Sequence, residues 1–68
     1  MNAKEMRKAM ENEVVEAYKH FLECKKYNDP ETHDRAVESC FVRNIFAKMF
    51  GYEALDALME KHFPVKND

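Results

Sequence analysis

The sequence predicts an all-α protein: an antiparallel hairpin of two long helices plus a short C-terminal third helix, assembling as a homo-oligomeric helical bundle. Three observations carry that expectation. Apolar residues recur at steps of three and four along most of the chain, which is the spacing of helix faces rather than of strands. Turn-forming residues cluster at Asn28-Asp29-Pro30-Glu31 and at Gly51. A chain of 68 residues, at about 1.5 kcal/mol of ordering entropy per residue, sits near zero net stability unless it is stapled or assembled.

The first helix is expected over about residues 3–27. Ala3, Met6, Met10, Val14, Ala17, Tyr18, Phe21 and Cys24 fall on one stripe, with Val15 and Leu22 beside it. Lys8, Asn12, Glu16, Lys19, Glu23 and Lys26 fall on the far side. Asp29 then offers a cap, Pro30 a first helical position and Glu31 a first-turn acid. A link this short makes the two long helices antiparallel neighbours.

The second helix is expected over about 30–50, ended by Gly51 in a left-handed cap. Ten of the fifteen residues from Ala36 to Phe50 are apolar, and they surround the helix. Val37, Phe41 and Ile45 make one row, Ala36, Cys40 and Ala47 a second, and Val42, Phe46 and Met49 a third. A helix that is apolar on all sides needs cover on several. If numbers on the two helices sum to roughly 59, Met10 lies near Met49 and Val14 near Ile45. The remaining surface is then expected to meet another subunit through Val42, Phe46, Met49 and Phe50. A third helix over about 53–62 turns Leu55, Leu58, Met59 and His62 or Phe63 inward, and residues 64–68 form a frayed tail. All 68 residues make one domain.

Composition narrows the function. Eleven Lys and Arg against thirteen Asp and Glu leave a net charge of −2, which disfavours non-specific nucleic-acid binding. The lysines and arginines at 4, 7, 8, 19, 25 and 26 alternate with glutamates and read as solvated helix surface. No run approaches the roughly 20 apolar residues of a membrane span, and the charged first turn does not resemble a signal peptide. The expected setting is the cytoplasm, with both cysteines reduced.

Several constellations invite chemistry. Glu16, His20 and Cys24 line up at four-residue steps, yet they offer at most three ligands from one helix, which is a poor metal site. Cys40 has His33 two turns away, about 10 Å along the helix, too far for a nucleophile and its base. Cys24 and Cys40 are offset by about 7 Å along the hairpin, beyond easy disulfide reach. Thr32, His33, Asp34 and Arg35 open the second helix, where backbone N–H groups favour anions, but Glu31 and Asp34 oppose one. Arg43, Asn44 and Lys48 are the polar interruptions of an apolar helix. They either pair with carboxylates across an interface or, with Phe46, Phe50 and Tyr52, hold a small anion such as a nucleotide.

A capped long helix, an Asn-Asp-Pro-Glu turn and a second helix closing at Gly51-Tyr52 resemble small helical proteins of bacteria and their phages. The resemblance transfers a role to no residue. The reading is therefore a non-enzymatic binding protein: a regulator, adaptor or inhibitor of the phage or mobile-element type. It needs no cofactor or metal and no membrane, and its partners are its own copies and another protein. The alternative is a protein that sequesters a small anionic metabolite or nucleotide between subunits.

Overall fold

The computed structural model describes residues 1–65 and contains three helices: α1, Ala3–Lys26; α2, Thr32–Phe50; and α3, Tyr52–His62. Of the expected tail, residues 66–68 lie outside the described part of the chain. Asn2 opens α1 as an N-cap, its side-chain oxygen accepting from the Glu5 backbone N–H at 2.8 Å.

The turn after α1 stops the helix with paired backbone bonds. The Asp29 N–H reaches back to the Cys24 carbonyl at 2.9 Å and the Asn28 N–H to the Lys25 carbonyl at 3.2 Å. Asn28, at φ 52°, takes the left-handed position between them. This is the Schellman arrangement, and asparagine tolerates its backbone better than most residues with a Cβ. The start of α2 departs from expectation. Asp29 Oδ1 accepts from the Glu31 N–H at 2.8 Å, and the Asp29 carbonyl accepts from both the Thr32 N–H at 3.0 Å and the Thr32 hydroxyl at 2.6 Å. Pro30 and Glu31 are consumed in that turn, so α2 begins at Thr32 rather than Pro30.

Gly51 ends α2 and is followed directly by α3, one residue earlier than expected. Its φ of 95° and ψ of 155° are not the left-handed helical values anticipated for it. They lie in a region that glycine alone occupies readily.

The core lies where the three helices meet. Val14 and Phe46 are completely buried, and Val15, Ala47, Leu55 and Leu58 complete the cluster. Met10, Val42, Phe50, Ala54, Met59 and Phe63 pack around it. At the end of α3 it is therefore the C-cap Phe63, not the exposed His62, that turns inward. Tyr18 joins the three helices. Its ring meets Phe63 at 4.6 Å and Phe21 at 5.9 Å between centroids, and the Arg43 guanidinium lies 5.3 Å over it.

The hairpin register holds along its axis. Arg7 covers the Phe50 ring at 5.3 Å and Arg43 covers Tyr18 at the same distance, both close to the pairing expected between α1 and α2. The rotation of α2 is different. Val42, Phe46 and Phe50 meet the core in place of Ile45 and Met49, and Ser39 is fully buried on the same side. Phenylalanines at 46 and 50 bury more apolar area than isoleucine and methionine would, which favours this rotation. The first turns of α1, with Ala3 and Met6, stand exposed beyond the end of α2.

Candidate interaction surface on the second helix

With α2 turned this way, an apolar stripe is left on its outer side. Val37 is 56% exposed, Phe41 65% and Met49 49%, with half-buried Ile45 between the last two. These four residues stand at four-residue steps, so their side chains form one continuous row about 18 Å long at 1.5 Å of rise per residue. Single exposed apolar residues are ordinary on soluble proteins, whereas a contiguous row is a candidate contact surface. Glu38 and Lys48, both exposed, border the row near its two ends.

The residues singled out from sequence do not converge on one site. Phe46 is 0% exposed inside the chain's own core; it is open neither to a ligand nor to a second subunit. Val42 and Phe50 are half-buried against that core. Of the expected interface set, Met49 alone belongs to the outer stripe. Arg43 already has partners within the chain, the Tyr18 ring and the Ser39 carbonyl, to which its Nε donates at 3.2 Å. Asn44 is exposed with its amide 3.8 Å from Cys40 Sγ. Lys48 has no ion-pair partner among the described residues, and Tyr52 projects from the first turn of α3.

A second feature lies between α1 and α3, where the sequence had suggested no ligand site. An open cleft of about 360 Å³ is lined by apolar Val15, Ala54 and Leu58 and by polar Arg7, Lys8, Lys61 and His62. Glu11 is the acid among its lining residues and is engaged by Arg7, 3.7 Å away.

The thiols differ sharply. Cys40 is exposed and Cys24 buried, and both are free. Burial, reinforced by the carboxylates of Asp29 and Glu31, pushes the Cys24 thiol above its ordinary value. A thiol held protonated is a poor nucleophile and a poor metal ligand. Glu16 and His20 are exposed while Cys24 is not, and among the described residues no group of three or more His, Cys, Asp or Glu is placed to hold a metal ion. No helix among those residues is long and apolar enough to cross a membrane.

One buried feature had no counterpart in the sequence reading. Ser39 Oγ and Arg35 Nε are enclosed without a hydrogen-bond partner among the described residues. Ser39 recurs with Thr32, Arg35, Val42 and Phe46 at helical spacing, and that row was the available signal. Compared with known protein families, curated proteins and solved structures, the chain shows no match.

Proposed function

We propose that this chain is a small non-enzymatic helical binding protein, a regulator, adaptor or inhibitor, that works as a homo-oligomer in the cytoplasm. The observation that carries the reading is the exposed row Val37, Phe41, Ile45 and Met49 on the outer side of α2. Leaving a phenylalanine in water rather than burying it forgoes about 1.5–3 kcal/mol, so a face of this composition gains by being covered. Light scattering over a concentration series is expected to show the mass rising from the 8.1 kDa of one chain toward at least twice that value. A single 8.1 kDa species at every concentration would reject the oligomer.

The α1–α3 cleft favours a second reading, in which the protein sequesters a small anionic ligand. Three cationic side chains, Arg7, Lys8 and Lys61, beside apolar lining residues suit an anion with an apolar portion. The site would then lie within one chain, not around Arg43. A rise in melting temperature on adding nucleotide or phosphate, abolished by Lys8→Ala with Lys61→Ala, would shift the assignment to this reading. A ligand at a hundredfold excess over Kd contributes about 2.7 kcal/mol.

A further inference from the structure

We propose that the outer face of α2 is the contact surface of a twofold-symmetric dimer, in which α2 packs antiparallel on α2 of a second copy with Phe41 level with the partner subunit's Ile45. This rests on the homo-oligomer reading and adds to it the occupant, the direction and the register.

The argument is one of self-complementarity. A twofold axis perpendicular to a helix pairs that helix with its own reversed copy, so the surface must match itself when read backwards. The row Val37, Phe41, Ile45 and Met49 is symmetric about residue 43. An antiparallel copy centred there sets Val37 level with the partner subunit's Met49 and Phe41 level with the partner subunit's Ile45, so every apolar residue of the row meets another. Glu38 and Lys48 are also equidistant from residue 43. The same register puts Glu38 in one layer with the partner subunit's Lys48, and symmetry repeats the pair. Lys48 has no ion-pair partner among the described residues, while Glu38 pairs with Arg35, 3.1 Å away on the same helix.

The alternatives do worse on the same residues. Parallel in-register packing would set Glu38 against the partner subunit's Glu38 and Lys48 against the partner subunit's Lys48, and like charges in contact are costly. Sliding the antiparallel copy by one turn would leave an apolar residue uncovered at each end. Access is open, because the core-facing side of α2 is the side that meets α1 and α3, and Val37, Phe41 and Met49 on the other side are exposed. A contact one helix wide and about 18 Å long falls below the roughly 1,200 Å² of a tight complex, so the dimer is of the weak, micromolar kind.

Sedimentation equilibrium at low salt, on the full chain over a concentration series, tests this. Glu38→Lys alone and Lys48→Glu alone each replace two attractive pairs by two repulsive ones, and each is expected to raise the dimer Kd on the order of tenfold. The double variant Glu38→Lys/Lys48→Glu restores attraction and is expected to return the Kd to about the wild-type value. Both positions are exposed, and circular dichroism confirms that each variant is folded before its Kd is compared. Dimers that ignore the single swaps, or that the double swap fails to rescue, would overturn the antiparallel register while leaving the homo-oligomer standing. A wild-type chain that stays monomeric would overturn both.

Discussion

Individual side chains in this protein are settled by what burial does to polar groups. Arg43 interrupts an apolar helix, and within the chain its guanidinium lies over Tyr18 while its Nε donates to the Ser39 carbonyl. Ser39 is buried with its hydroxyl unmatched among the described residues, and its small size lets α2 approach the core without the bulk of a leucine. Cys24 illustrates the same pressure on a titratable group. Its raised thiol value means the folded state holds the proton more tightly than the unfolded chain does. The stability this contributes is fully present below about pH 8.5, the ordinary thiol value, and is lost as the pH climbs through the raised one. Melting temperatures of wild type and Cys24→Ala should therefore diverge least at pH 10 and most near neutrality. A gap that stays constant across that range would show that the thiol contributes only packing.

The helices end by different devices, and each has a distinct sensitivity. Asn28 closes α1 with a left-handed backbone and two reverse hydrogen bonds, so a β-branched residue there would be strained. Gly51 serves as C-cap of α2 and N-cap of α3 at once. A Cβ built at Gly51 would meet nothing within 4 Å. Gly51→Ala is nonetheless expected to cost about 1–3 kcal/mol, because the penalty lies in the backbone conformation and not in crowding. Chemical denaturation measures it. A neutral substitution would mean that α2 and α3 can rejoin through another geometry.

Taken whole, the molecule encloses one set of apolar side chains in a core inside one chain and leaves others on the surface, the α2 row among them. That division makes an opposite pair of predictions for two phenylalanines five residues apart on α2. Phe46→Ala removes a fully buried ring and should cost about 3–5 kcal/mol of stability. Phe41→Glu alters a residue 65% exposed; it should leave the monomer folded by circular dichroism while dissociating the oligomer. Loss of the fold from both would mean that the row is part of a core no single chain possesses.

The all-α class, the hairpin and the axial pairing of α1 with α2 were legible in the residues, because helical spacing and a short connection leave few alternatives. The break at residues 28–31 and the end at Gly51 were legible for the same reason: asparagine, proline and glycine restrict the backbone locally, whatever surrounds them. The rotation of α2 was not. With apolar residues on every side of that helix, local periodicity ranks no face first, and Ile45 with Met49 matches α1 as well on paper as Phe46 with Phe50. The choice rests on three-dimensional packing: which side chains fill the space among Val14, Val15, Leu55 and Leu58, and whether Arg7 and Arg43 can lie over aromatic rings. That choice put Phe46 inside and Phe41 outside, and so moved the candidate interface from one side of the helix to the other. Helical spacing reports how often a side chain returns to a face, but which face is buried depends on atoms contributed by distant parts of the chain.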